Sequence, residues 1–171
     1  RARGRRAAAG PPRHVANAAA PSERAASRAR RAGTPMERGA EECKARGNAA
    51  FKDGRYGEAV AHFSDAIAAD GSNAVLFSNR SGALASLGRY ADSLQDAERA
   101  VALRPDWAKG YSRKAAALYG LGRYADAVAT YDAGLRVEPA NPQMVQALAD
   151  VRARYAAARA LFEAVAEDDV A

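Results

Sequence analysis

Apolar and polar residues follow a helical pattern along the chain from about residue 37 onward. Apolar side chains recur there at three- and four-residue steps, which is the spacing of one face of an α-helix. Glycine and proline interrupt the pattern at regular intervals and divide it into seven segments. The predicted helices span roughly residues 37–51, 56–69, 74–87, 90–103, 107–121 and 124–137, with a seventh beginning at Pro142.

An internal repeat organises these segments. The tripeptide Gly-Arg-Tyr occurs at residues 54–56, 88–90 and 122–124, so that successive copies lie 34 residues apart. Small residues recur in the same register, at Ala59, Ser93 and Ala127. A period of about 34 residues is typical of tetratricopeptide (TPR) repeats, each of which is a pair of helices. We therefore expect an all-α fold: a TPR solenoid with three helix-turn-helix repeats and a C-terminal capping helix.

Turn-forming residues agree with this division. Each tripeptide begins with a glycine where the first helix of a pair must end, because glycine accepts the left-handed conformation of a helix C-terminus. Pro105 and Pro139 are expected to end the second helices of the last two repeats. Asn141 followed by Pro142 predicts an N-cap with proline at the first helical position.

The seventh helix carries one apolar stripe, which would cover the apolar face of the last repeat. Its members are Met144, Leu148, Val151 and Tyr155. We expect a disordered Arg/Ala-rich segment at the N-terminus, then the repeats, the cap and a frayed acidic tail. The corresponding boundaries are 1–35, 36–141 (repeats 40–73, 74–107 and 108–141), 142–166 and 167–171.

The net charge of +6 comes from the N-terminal segment. Residues 1–35 contain nine arginines and one acidic residue, Glu23, whereas the remainder is slightly acidic. Three interpretations are open for this segment: sequence upstream of a protein that begins at Met36, an organellar transit peptide, or an RNA-binding arm. The first is favoured because a strong helix signal directly follows Met36. Nucleic acid is not an expected partner of the helical part.

Other functional classes find no support in the sequence. No apolar run approaches the roughly 18 residues of a membrane helix. Metal-binding and catalytic motifs such as HExxH, paired CxxC, a phosphate-binding loop or Gly-x-Ser-x-Gly do not occur. Cys43 is the only cysteine and cannot form an internal disulfide. We therefore expect a cytoplasmic monomer that is not an enzyme and uses no cofactor or metal.

Polar residues at positions without a packing role indicate a binding surface. In the predicted solenoid the first helices of the repeats line a concave groove. Lys44 and Asn48 are four residues apart on the first of these helices, and Lys109 and Arg113 are four apart on the third. Asn79 lies on the helix between them. Any one of these side chains alone is more often a solvated surface residue, but five in register across three repeats predict a site.

The chemistry of this set suits a ligand with two carboxylates. Ammonium and guanidinium groups only donate hydrogen bonds, and asparagine amides add neutral donors. A C-terminal aspartate offers its side-chain carboxylate and the chain-end carboxylate together, so the groove would capture an extended peptide by its C-terminus. The cost of ordering the peptide reduces the gain, so we expect micromolar affinity, about −8 kcal/mol.

Three segments carry a family resemblance. Lys-Ala-Arg-Gly-Asn at 44–48, Phe-Ser-Asn-Arg-Ser at 77–81 and the longer segment 105–118 resemble the first TPR module of the stress-inducible phosphoprotein (Hop) family of co-chaperones. The resemblance implies binding to the Glu-Glu-Val-Asp tail of heat-shock chaperones, the seventy-kilodalton class preferred and the ninety-kilodalton class possible. It also implies a carboxylate clamp. The clamp positions would be Lys44, Asn48, Asn79, Lys109 and Arg113, with Phe51 and Gly82 shaping a pocket for the apolar residues of the tail.

The chain departs from this family in two ways. Full members continue into further TPR modules and helical domains, so only tail binding, and not the bridging of two chaperones, carries over. Gly71 also stands where the family usually has proline. Two alternatives stay open: a targeting module of a larger chaperone-associated enzyme, and a TPR scaffold for an unrelated protein partner.

Overall fold

The computed structural model describes the backbone of residues 35–168 and the side chains of residues 39–163. The ordered elements of this part of the chain are seven α-helices. They are α1 (Pro35–Lys52), α2 (Tyr56–Ala69), α3 (Ala74–Ser86), α4 (Tyr90–Leu103), α5 (Ala108–Gly120), α6 (Tyr124–Val137) and α7 (Pro142–Asp168). Residues 1–34 of the segment expected to be disordered, and residues 169–171 of the expected acidic tail, lie outside the described residues. Pro35, which was expected in the disordered segment, instead begins α1.

The helices form three consecutive hairpins followed by α7, which confirms the predicted all-α TPR architecture. Each helix packs against its neighbours in sequence. In addition, α1 contacts α3 and α3 contacts α5, so the first helices of the three hairpins lie side by side. Within residues 35–168, no helix is both long enough and apolar enough to span a membrane.

Three glycines make the turns within the hairpins. Gly54, Gly88 and Gly122 have φ values of 76°, 72° and 73°, in the left-handed region that the sequence pattern predicted. The arginine that follows each glycine donates its backbone N–H into the preceding helix, and its side chain pairs with a carboxylate in the first turn of the next helix. The Gly-Arg-Tyr tripeptide is therefore one repeated turn, in which the solvent-exposed ion pair adds little stability.

The starts of α3, α5 and α7 lie in the same 34-residue register. Asn73 caps α3 by accepting a hydrogen bond from the N–H of Val75 at 3.1 Å. Asn141 caps α7 in the predicted way, with its side-chain oxygen 3.0 Å from the backbone nitrogen of Met144. Trp107 stands at the equivalent position before α5 and provides no side-chain cap.

The small residues of the repeat are fully buried between paired helices. Ala59, Ser93 and Ala127 have no exposed surface, which allows the helix axes to approach closely. Phe63 and Tyr131 add bulk one turn later in the outer repeats. The buried residues form two apolar clusters. One joins the first hairpin to Ala83 of α3, and the other is shared by α5, α6 and α7.

The middle hairpin, where Ala97 provides little bulk, contains buried polar contacts instead. The guanidinium of Arg80 donates two hydrogen bonds of 2.7 Å to Asp96 and a third of 2.9 Å to Ser64 on α2. Ser93 donates a hydrogen bond of 2.9 Å to the carbonyl oxygen of Ser81. Because these groups satisfy one another, they connect the first two hairpins without leaving a buried charge unpaired.

The final helix is longer than the others because it lacks the turn tripeptide. The repeat register would place Gly-Arg-Tyr at residues 156–158, and the chain has Ala-Ala-Ala there. Alanine favours continued helix, so α7 runs straight on to Asp168, two residues past the expected boundary of the cap at 166. Its buried stripe comprises Met144, Leu148 and Val151, whereas Tyr155 remains 39% exposed.

Candidate functional site

The side-by-side arrangement of α1, α3 and α5 brings two of the predicted site residues into direct contact. Asn79 on α3 donates a hydrogen bond through its side-chain nitrogen to the side-chain oxygen of Asn48 on α1, at 3.0 Å. In this orientation the side-chain amide of Asn48 keeps both N–H donors free for a ligand. The amide pair therefore forms one neutral part of the candidate site.

Arg113 and Gly82 form a second contact, between α5 and α3. The guanidinium of Arg113 lies against the backbone of Gly82 so closely that a Cβ atom there would be 3.1 Å from its central carbon. Glycine at this position thus leaves room for the arginine. The Nε atom of Arg113 is buried without a hydrogen-bond partner, and no carboxylate among residues 39–163 pairs with this side chain.

Lys109 and Arg113 together make a region of uncompensated positive charge. Burial lowers the pKa of Arg113, and the neighbouring Tyr131 partly opposes that effect. Partial burial also lowers the pKa of the Lys109 ammonium, which is lowered further by the charge of Arg113. Lys109 has no carboxylate partner among the described side chains. Two nearby cations without a counter-ion are a favourable setting for an anion.

Lys44 is arranged differently. Its ammonium lies 2.7 Å from one carboxylate oxygen of Glu41, three residues earlier on α1, and 2.8 Å from the other. Lys44 shares the face of α1 that carries Asn48, as their four-residue spacing requires. None of the described hydrogen bonds or ion pairs joins Lys44 to the α5 cations. This lysine is therefore engaged by an internal carboxylate in the free protein.

Phe51 lies at the end of α1 and packs within the first hairpin. Its ring meets Tyr56 edge-on at a centroid distance of 5.3 Å, and it also packs against the apolar cluster that contains Phe63. It is only partly buried. A role in shaping an apolar pocket stays a prediction, since no contact given by the structure connects Phe51 with Asn79, Lys109 or Arg113.

Two further residues belong to this region, although the sequence pattern did not assign them a role. Ser78 is fully buried, its hydroxyl has no hydrogen-bond partner, and it lies one turn before Gly82 on α3. The ring of Trp107 lies 6.0 Å from the ammonium of Lys109. Ser78 occupies the same repeat position as Lys44, so the 34-residue register was the signal that could have found it.

No grouping of three His, Cys, Asp or Glu residues suited to a metal ion occurs within the described part of the chain. The lysine, arginine and asparagine side chains of the candidate site are hydrogen-bond donors. Cationic and amide groups are carried on three adjacent helices, and such an arrangement can bind carboxylates.

Comparison with known proteins agrees with the fold and with the resemblance. A model of the tetratricopeptide repeat matches residues 108–141. The Hsp70-Hsp90 organizing protein of Triticum aestivum is 57% identical over 118 residues, covering 69% of this chain and 20% of the wheat protein. This chain therefore spans about a fifth of the length of that relative.

Solved structures of TPR domains with bound peptides are also similar. The first TPR of Spaghetti (RPAP3), bound to the HSP90 peptide SRMEEVD, is 33% identical with a TM-score of 0.67, covering 70% of this chain and 95% of that one. The second TPR domain of human RPAP3, in complex with the HSP70 peptide SGPTIEEVD, is 31% identical with a TM-score of 0.63, covering 68% and 95%. The chain belongs to the tetratricopeptide-repeat family, and its TPR domain is of the kind found in Hsp70-Hsp90 organizing proteins.

Proposed function

We propose that this protein is a co-chaperone adaptor of the cytoplasm, which binds the C-terminal tails of heat-shock chaperones. The binding site is a two-carboxylate clamp made of Lys44, Asn48, Asn79, Lys109 and Arg113. The observation that carries the proposal is the pair of partly desolvated cations on α5, which have no carboxylate partner among the described residues and lie beside the amide-bearing face of α3. Such a pair is stabilised by an anionic ligand.

The ligand that fits is a peptide ending in aspartate. Its two carboxylates supply acceptors for the ammonium, guanidinium and amide donors, and each charge-assisted hydrogen bond contributes about 1.5–3 kcal/mol. Both peptides held by the TPR domains of the RPAP3 proteins end in Glu-Glu-Val-Asp. We expect the same ending to bind here, with a dissociation constant in the micromolar range, on the order of −8 kcal/mol.

Between the two chaperone classes we propose a preference for the seventy-kilodalton class. This preference rests on the resemblance of residues 77–81 and 105–118 to the first module of the Hop family. Phe51 and Gly82 would adjoin the apolar residues that precede the terminal aspartate. The resemblance implies an adaptor that contributes binding, and catalysis would belong to other proteins.

Calorimetry tests the proposal with the full chain and the peptides SGPTIEEVD and SRMEEVD. We expect saturable binding of both, with tighter binding of the first. A matched peptide with an amidated C-terminus loses one of the two carboxylates and should bind at least about tenfold more weakly, because one charge-assisted contact is removed. Absence of saturation at millimolar peptide, or equal binding of the amidated form, would contradict the proposal.

A further inference from the structure

The capping helix α7 extends the row of first helices beyond the clamp. It begins 34 residues after α5, as α5 begins 34 residues after α3. The same 34-residue register defines one equivalent position on each of the helices α1, α3, α5 and α7. The members of this row are Asn48, Gly82, Ala116 and Asp150. The row therefore runs from an amide, through two small residues, to a carboxylate.

The contacts of α7 show which way Asp150 faces. Val151 is buried in the cluster shared with α5 and α6, so it marks the packed face of the helix. Arg152 pairs at 3.0 Å with Asp132 on α6, which places that flank of α7 toward the second helix of the third hairpin. Successive residues of a helix are about 100° apart, so Asp150 projects from the opposite flank. That flank is the one that faces away from α6, on the side of the first helices.

Tyr131 provides an independent link between Asp150 and the clamp. This residue lies in the apolar cluster with residues of both α5 and α7. Burial raises the pKa of Tyr131, the charge of Arg113 lowers it, and the charge of Asp150 raises it. Arg113 on α5 and Asp150 on α7 therefore both lie near the same phenol.

The charge of Asp150 is also available to a ligand. Its one described hydrogen bond comes from the side-chain amide of Gln146 at 2.9 Å. Within residues 39–163 it takes part in no ion pair, whereas Asp96, Asp126 and Asp132 each pair with an arginine. Asp150 is exposed. An inner surface with unpaired cations on α5 and an unpaired carboxylate on the next helix of the row, α7, fits a ligand of complementary polarity.

We propose that Asp150 is a specificity-determining residue, which strengthens the binding of tails that carry lysine or arginine upstream of the acidic C-terminus, in addition to the contacts that set the preference between chaperone classes. The inference rests on the proposed function. Packed helices lie about 8–10 Å apart and an extended peptide spans about 3.3–3.6 Å per residue, so one to two helix spacings correspond to about two to six residues. In the peptide SRMEEVD the arginine stands five residues before the terminal aspartate, and in SGPTIEEVD threonine occupies that place.

The test changes one residue within a single tail, so that it does not depend on which chaperone class is preferred. The peptide SGPTIEEVD and its Thr→Lys form, SGPKIEEVD, are titrated into the full chain and into the variant Asp150→Asn. Lysine should increase the affinity of the unmodified protein about two- to fivefold, the range of a solvent-exposed ion pair. In Asp150→Asn, which keeps the size of the side chain, the gain should disappear.

Asp65→Asn is the matched control, because Asp65 is an exposed carboxylate on α2 without a described ion pair. It makes the same change in net charge and should keep the full gain from lysine. An equal gain in all three proteins would overturn the role of Asp150 while leaving tail binding intact. Failure of both peptides to bind the unmodified protein would instead refute the proposed function.

Discussion

The proposed clamp has cations at both ends, on α1 and on α5, and these cations differ in whether a carboxylate of the protein pairs with them. On α1, Lys44 is paired with Glu41 in the free protein. On α5, burial lowers the pKa values of Lys109 and Arg113, and neither has a carboxylate partner among the described side chains. An anion that reaches the half-buried Arg113 on α5 replaces solvation that folding has removed, whereas an anion that reaches Lys44 on α1 must displace a resident carboxylate. The availability of a cation, more than its formal charge, should therefore decide its contribution.

Arg113→Ala should cause the largest loss of affinity. The guanidinium is half-buried and its Nε is unpaired, so a carboxylate bound there gains charge-assisted hydrogen bonds in a partly desolvated place. We expect peptide binding to weaken by about 2–3 kcal/mol, that is about 30- to 150-fold, in calorimetry with SGPTIEEVD.

Lys44→Ala is the informative comparison for Arg113→Ala. It should weaken binding less, by about 1 kcal/mol, because removing the lysine also removes the need to displace Glu41. Arg99→Ala controls for net charge, since Arg99 is exposed on α4 and has no described ion pair. Equal losses for Lys44→Ala and Arg113→Ala would show that the two ends of the clamp are equivalent.

The pH dependence of peptide affinity should reflect the protonation of the Lys109 ammonium. Only its protonated form attracts carboxylates, and its pKa lies below the ordinary lysine value, so affinity should begin to fall at a lower pH than an ordinary lysine would allow. Arg113 stays charged throughout, and burial raises the pKa of Tyr131 above the ordinary tyrosine value. Calorimetry between neutral and alkaline pH should show about a tenfold loss, and Lys109→Arg should flatten the profile.

The stability of the peptide-free protein should move in the opposite direction. Above the folded-state pKa of Lys109 and below its unfolded value, the unfolded chain binds more protons, so this group makes the free energy of unfolding rise with pH. Thermal denaturation over the same window distinguishes the two effects. Parallel falls in affinity and stability would indicate loss of structure and would remove Lys109 as the cause.

Glu41→Gln should have the smallest effect, and it should be a gain. The substitution frees Lys44 and removes a negative charge near the site, so peptide affinity should rise about twofold. Glu42→Gln makes the same charge change at the adjacent exposed residue and should have less effect. Because exposed charges are screened by salt, the gain should shrink in calorimetry at 0.5 M salt. An unchanged affinity for Glu41→Gln would show that Glu41 does not compete with the ligand.

The repeated and local features were predictable from the sequence. Each helix boundary expected for α2, α4 and α6 matches the structure, because Gly54, Gly88 and Gly122 impose the same turn three times. The cap at Asn141 was equally accessible, since it depends on residues within one turn. The sequence also placed Asn48 and Asn79 in one predicted groove, and their side chains form a hydrogen bond in the structure.

The repeat pattern did not predict which partner a side chain chooses when several partners are within its reach. Nothing in the repeat indicated that Arg80 would join Asp96 and Ser64, because that contact replaces bulk missing at one position of one repeat. The pairing of Lys44 with Glu41 has the three-residue spacing of a helical ion pair, but spacing alone does not decide whether the ammonium binds this carboxylate or faces the groove. Such choices follow from three-dimensional packing, which a one-dimensional period does not encode.

The replacement of Gly-Arg-Tyr by Ala-Ala-Ala at residues 156–158 has a consequence for how much of a tail can be recognised. Because α7 does not fold back, the described inner surface comprises four helices, about 24–30 Å across at ordinary packing distances. An extended chain covers that width with about seven to nine residues. The three alanines therefore limit how many residues of a tail the groove can contact. Residues further upstream in a partner would lie outside the groove.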